Sequence, residues 1–124
     1  MASGTLTDLQ LSVMKALWEI GEGTVGEVLD VLVRDGNTLA PTTVATLLQR
    51  LSKQGWVKHR KNGRQFLYRA KINQREAAKG VLERVLYSFF GGRASALTAQ
   101  LLDSDQISQQ ELKEMRKLIK ERGG

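Results

Sequence analysis

The chain has 124 residues, about one domain's worth, and its hydrophobic fraction of 41% is ordinary for a soluble globular protein and too high for a disordered one. It holds no cysteine, one histidine and no clustered carboxylates, which excludes disulfides, thiolate metal sites and a thiol nucleophile and leaves no enzymatic acid–base pair and no ligand set for a metal or cofactor. The net charge of +6 is unevenly placed: no acid lies between Asp35 and Glu76, while Arg50, Lys53, Lys58, Arg60, Lys61, Arg64, Arg69, Lys71 and Arg75 all do, the footprint of a surface that binds a polyanion.

Four stretches carry the spacing of a capping box: Thr7-Asp8-Leu9-Gln10, Thr24-Val25-Gly26-Glu27, Asn73-Gln74-Arg75-Glu76 and Ser108-Gln109-Gln110-Glu111. In each, the first side chain can accept from an orphan N–H of the first turn and the fourth can reach back to the cap. The first box opens a helix from Thr7 to about Ile20, whose apolar residues Leu9, Val13, Met14, Ala16, Leu17, Trp18 and Ile20 cover most of its circumference, as in a central buried helix. Gly21 and Gly23 are expected to end it. A second helix sets Val25, Val28, Leu29 and Leu32 on one face and stops at Asp35-Gly36-Asn37. The third, about 41–54, opens on Pro41, where a missing N–H costs nothing, and repeats the spacing in Val44, Leu47, Leu48 and Leu51.

After Gly55 the period changes from 3.6 to 2. Trp56 to Arg60 and Gln65 to Arg69 alternate apolar with polar residues around Lys61-Asn62-Gly63-Arg64, where Asn-Gly signals a hairpin with a type I′ turn. Trp56, Phe66 and Tyr68 are read as packing for the base of the hairpin, and His59 as incidental. Beyond Asn73 the chain is helical again, with an apolar stripe of Ala77, Val81, Leu82, Val85, Leu86, Phe89 and Phe90, a shorter segment with Leu97 and Leu101, and a last helix with Leu112, Met115, Leu118 and Ile119. No apolar run reaches the length of a membrane span and the N-terminus lacks a signal pattern, so the expected location is the cytoplasm, away from any membrane.

Three helices followed by a basic-tipped hairpin is the order of a winged helix-turn-helix. The expected fold is therefore mainly α with a small β-hairpin wing: a winged helix DNA-binding domain over 1–72 and a helical dimerisation region over 73–124. The third helix is the candidate recognition helix. Opposite its apolar face lie Thr42, Thr46, Gln49 and Lys53, flanked by Thr43 and Arg50, with none of the acids that an ordinary solvated face mixes in. Threonine and glutamine suit base edges and phosphates, and arginine can take guanine bidentately. The wing, 56–69, adds Lys58, Arg60, Lys61 and Arg64 as candidate backbone contacts. The apolar tail exceeds what a one-domain core can use, so Val81, Leu82, Val85, Leu86, Phe89, Phe90, Leu97, Leu101, Leu112, Met115, Leu118 and Ile119 are expected to pair with a second copy. The alternatives are a winged helix that binds proteins rather than DNA, which would not need the acid-free window, and a regulator answering to a small molecule.

Leu6-Thr7 through Val13-Met14, Leu17-Trp18, Gly23-Thr24-Val25 and Glu27-Val28 resemble the opening of the penicillinase-repressor family, the BlaI/MecI/CopY group. Ala40-Pro41-Thr42-Thr43-Val44-Ala45-Thr46-Leu47-Leu48-Gln49-Arg50-Leu51 resembles its recognition helix, and Lys53-Gln54-Gly55-Trp56-Val57 its entry to the wing. The similarity runs on through Gly91-Gly92 to Ile107-Ser108-Gln109-Gln110-Glu111-Leu112. The resemblance implies a homodimeric repressor of an inverted-repeat operator with TACA/TGTA-type half-sites, its C-terminal helices interlocked. It also implies release by a protease or another inducer. Antibiotic-responsive members are cut at an Asn-Phe bond, and Gln100-Leu101 stands at the corresponding candidate cleavage position. The cysteine cluster of copper-responsive members is absent, and Ala40 stands where a serine cap is usual.

Overall fold

The computed structural model describes residues 5–123, in the order α1 (Asp8–Ile20), β1 (Glu22–Gly23), α2 (Val25–Arg34), α3 (Pro41–Lys53), β2 (Val57–Asn62), β3 (Gln65–Ala70), α4 (Gln74–Phe90), α5 (Ala94–Asp103) and α6 (Gln109–Gly123). All four capping boxes form. The side chains of Thr7, Thr24, Asn73 and Ser108 accept from the backbone N–H groups of Gln10, Glu27, Glu76 and Glu111, and each of those four side chains accepts in return from the cap N–H. α3 starts without this help: Ala40 makes no side-chain cap bond, and Pro41 supplies the first helical residue.

The helices α1–α3 enclose one core. Val13, Leu17, Val28, Val44, Leu48 and Leu51 have no exposed surface, and Trp18, Ile20, Leu47 and Trp56 pack around them. Val57 and Tyr68 seal the core from the sheet side, and the Trp18 Nε1–H donates to the Ile72 carbonyl at 2.9 Å, tying the end of the hairpin to α1.

The sheet differs from the expected isolated hairpin. It has three antiparallel strands in the order β1-β3-β2, because Glu22 and Gly23 pair with Arg69 and Tyr68. Gly21, at φ 82°, ends α1 as expected, but Gly23 belongs to this strand. A Cβ there would stand 2.6 Å from Ile20 Cδ1 and 3.3 Å from Glu27 Cβ, so a larger residue at this position would have to displace the end of the Ile20 side chain. The turn also differs. Asn62 pairs with Gln65, which makes Gly63 and Arg64 the central residues, and only Gly63 has positive φ, at 65°. That is the φ pattern of a type II′ turn, with glycine in the first central position.

The chain divides into two compact units, Met1–Ala78 and Lys79–Gly124. The division falls inside α4 rather than at the expected residue 72, because the first turn of α4 belongs to the winged unit, where Ala77 is buried. Within the second unit no side chain of α5 or α6 is fully buried.

Candidate nucleic-acid interface

The core fixes which side of α3 faces outward. With Val44, Leu48 and Leu51 wholly buried, Thr42, Thr43, Thr46, Gln49, Arg50 and Lys53 are all exposed, so the six candidate residues share one open helical surface. The Thr46 hydroxyl donates to the Thr42 carbonyl at 3.0 Å, which holds its rotamer and leaves its oxygen free to accept. Arg50 and Lys53 lie in the last turn, where positive charge complements the helix dipole.

The wing divides its charges between two faces. Side chains alternate along a strand and cross-strand pairs share a face. With His59 opposite Tyr68 and Lys61 opposite Phe66, these residues form the face turned toward α3. There a groove of about 210 Å³ is lined by Gln49, Ser52 and Lys53 of α3 and by His59, Phe66 and Tyr68 of the wing. The His59 ring lies edge-on to Phe66 at 5.0 Å and tilted against Tyr68 at 5.6 Å. Burial pushes the Tyr68 hydroxyl's pKa up, so it stays protonated. Trp56 and Tyr68 pack at the hairpin base as expected. Phe66 does not: it is 46% exposed and lines the groove, in company with the His59 that the sequence reading set aside. Period-two alternation alone puts His59, Phe66 and Tyr68 on one face, so the signal was present.

Lys58 and Arg60 sit on the other face of the sheet. With Glu22, Leu67 and Arg69 they line a separate hollow of about 220 Å³. Arg60 is already engaged there: its Nη2 and Nε donate to the two carboxylate oxygens of Glu22 at 2.9 and 3.1 Å. This bond, more than the nearby charges of Arg60 and Arg69, holds the Glu22 carboxyl below the usual carboxylate range and raises Arg60 in turn. Glu22 was missed because it precedes the acid-free window by more than ten residues and reaches the wing only through β1. Lys61 falls on the α3-facing side and Arg64 occupies the second central position of the turn. The structure thus brings Gln49 and Lys53 of α3 together with the aromatic cluster, puts Lys61 on that cluster's face of the wing, and leaves Lys58 and Arg60 around Glu22.

Among the described residues no three of His, Cys, Asp and Glu are grouped to hold a metal ion, and no helix is long and apolar enough to cross a membrane. In the second unit the apolar candidates remain open. Phe89 is 80% exposed and Ile119 65%, Val81, Leu82, Leu101 and Leu118 are also exposed, and Val85, Leu86, Phe90, Leu97, Leu112 and Met115 are half-buried. Gln100 and Leu101 are both exposed within α5.

Comparison with known proteins agrees with this geometry. The penicillinase repressor family model matches residues 6–121. The penicillinase repressor of Bacillus licheniformis is 30% identical over 116 residues, covering 94% of this chain and 90% of that protein. The solution structure of the DNA-binding domain of the repressor BlaI shares 34% identity, with a TM-score of 0.53, over 61% of this chain and 93% of that domain. A structure of monomeric Bacillus licheniformis BlaI in complex with the blaP half-operator matches with 34% identity and a TM-score of 0.50, over 59% of this chain and 88% of the other.

Proposed function

Because the chain belongs to the penicillinase-repressor family and is a winged-helix DNA-binding repressor, not an enzyme, we propose that it acts as a homodimer on an inverted-repeat operator with TACA/TGTA-type half-sites. α3 enters the major groove and the wing tip lies on the flanking backbone. The observation that carries this reading is the outward face of α3: six exposed polar or basic side chains and no acid, on a helix whose Val44, Leu48 and Leu51 are wholly buried. Thr42, Thr43, Thr46, Gln49 and Arg50 read or clamp the groove, and Lys53, Lys61 and Arg64 neutralise phosphates. Phe89, Ile119 and their apolar neighbours pair with a second copy in the same cytoplasmic compartment as the DNA, since a monomer leaves them in water.

Anisotropy titrations on the DNA flanking the gene test this. Arg50→Ala should cost about 1–3 kcal/mol on the operator and relax preference at one half-site position. An equal effect on operator and random duplex removes Arg50 from the reading set. Phe89→Ser should shift the sedimentation profile from dimer to monomer, and a full-length protein monomeric at micromolar concentration refutes the dimer. Release works by a signal other than cleavage at an Asn-Phe bond. A protease pocket built for that aromatic ring loses roughly 10–200-fold on Gln100-Leu101, so the chain should survive co-expression with such a sensor and its β-lactam inducer. A clean cut after Gln100 overturns this.

A further inference from the structure

The Glu22–Arg60 pair sits on the DNA-binding unit and is a recognition contact by neither its place nor its partners. We propose that Glu22 is an affinity-limiting residue: it withdraws Arg60 from the positive surface of the wing and so caps the sequence-independent attraction of the protein for DNA. The inference rests on the DNA-binding reading above and adds a residue that opposes it.

Four observations carry it. The pair is two-pronged, with both carboxylate oxygens accepting from the guanidinium at 2.9 and 3.1 Å, the geometry in which arginine is held best. Its partners are 38 residues apart and meet only because β1 adds a third strand to the sheet, so the pair is built by the fold. The Glu22 side chain is 30% exposed against 61% for Arg60: the anion is the sheltered partner and the cation the one that faces water. Finally, the hollow around them holds Lys58, Arg60 and Arg69 with Glu22 as its single acid, so removing that acid's charge leaves three uncompensated cations beside the wing.

The physical consequence is a count. Each cation that neutralises a phosphate on duplex DNA releases condensed counterions, and log Kobs falls with log[salt] at about 0.9 per phosphate. An arginine whose charge is cancelled by a carboxylate adds nothing to that slope. Once freed it adds about 0.9 per subunit, equivalent to roughly eightfold in affinity at 0.1 M salt relative to 1 M. The gain falls on all sequences alike. It therefore leaves the ratio of operator to random-sequence affinity unchanged and raises the hold of the protein on every duplex, non-specific sites included. Glu22 lowers the affinity for DNA of any sequence.

The test uses the full-length protein and a labelled 30-base-pair duplex of random sequence, titrated by anisotropy from about 0.05 to 0.3 M salt. Glu22→Gln keeps the shape of the side chain and removes its charge. Glu22→Gln with Arg60→Gln removes the pair as a neutral unit, and thermal melts of both variants confirm that they fold. Glu22→Gln should bind several-fold tighter with a slope steeper by about 0.9 per subunit, while the double variant keeps the wild-type slope. If Glu22→Gln leaves the slope unchanged and the double variant flattens it, Arg60 already contacts phosphate in the native protein and the proposal is overturned. It is equally overturned if neither variant changes the slope, because Arg60 then never reaches DNA. Failure of the wild-type protein to bind any duplex would instead refute the DNA-binding reading, and that arm is read separately.

Discussion

Replacing Ala40 by serine should stabilise the winged unit, because α3 begins without a side-chain cap. Ala40 already has extended cap geometry, with φ −78° and ψ 149°, and it is exposed, so a serine fits without moving the backbone. Pro41 has no N–H to satisfy, which leaves the N–H of Thr42 and that of Thr43, now 3.0 Å from the Ala40 carbonyl, as the donors a serine Oγ would serve. Thr7 and Thr24 show the bond that is missing, accepting at 3.1 and 3.2 Å. Caps of this kind contribute about 0.5–2 kcal/mol, typically near 1. Trp18 and Trp56, the only tryptophans in the chain, both lie in the winged unit, so their fluorescence follows its unfolding and not that of the second unit. With a urea slope of about 1–3 kcal/mol/M, a gain of about 1 kcal/mol moves the midpoint up by roughly 0.3–1 M. Thr24→Ala, which removes an existing cap, should move it down by a similar amount. If Ala40→Ser leaves the midpoint fixed while Thr24→Ala lowers it, the start of α3 is held by its packing and the missing cap is irrelevant.

Leu48→Ala deletes a wholly buried side chain of α3 and should cost about 2–5 kcal/mol by the same fluorescence assay, whereas Thr46→Ala, on the open face, should change stability by less than about 0.5 kcal/mol while, on the proposed reading, weakening operator binding. Arg64→Ala should weaken all duplexes alike and flatten the salt slope by about 0.9 per subunit; a loss confined to the operator would make Arg64 a base contact. The Glu22 carboxyl is lowered in the folded state, chiefly by the Arg60 hydrogen bond, so its contribution is complete above its unfolded value of about 4.3 and is lost as pH falls through the lower folded value. Protection from hydrogen exchange at Tyr68 and Arg69, taken relative to the intrinsic rate at each pH, should therefore fall in acid in the native protein but show no such step in Glu22→Gln; identical profiles would mean the pair does not secure β1.

The elements that announced themselves in the sequence are those held by local chemistry. A capping box needs only residues three apart, and the apolar faces of α1–α3 need only the 3.6 period, so their starts and buried sides could be read directly. β1 could not. Two residues carry no period, and Glu22-Gly23 is a strand only because β3 offers Arg69 and Tyr68 to pair with. The turn was misplaced for a related reason. Asn-Gly favours a two-residue loop at its own position, but the native register keeps Lys61 opposite Phe66 and Asn62 opposite Gln65, shifting the loop by one residue. The compact units divide at Ala78 rather than at the helix start because helix starts and unit boundaries need not coincide: α4 begins at Gln74 while Ala77 is still buried.

The candidate site divides along the same line. For α3 the burial of Val44, Leu48 and Leu51 settles the orientation of every other residue on the helix, and a wheel drawn from sequence contains that information. For the wing, counting charges in a window treats Lys58, Arg60, Lys61 and Arg64 as equivalent, and the fold does not. Lys61 shares its face with the aromatic cluster at α3, Lys58 looks the other way, and Arg60 spends its guanidinium on a carboxylate 38 residues earlier. A cation's value to a DNA-binding surface depends on its nearest anion, and in this chain that anion comes from a strand no sequence pattern marks. On the proposed reading, the charge offered to DNA is therefore smaller and more directional than the acid-free window suggests. Lys53 lines the groove that holds His59 and Phe66, while Lys61 and Arg64 stand at the turn of the hairpin.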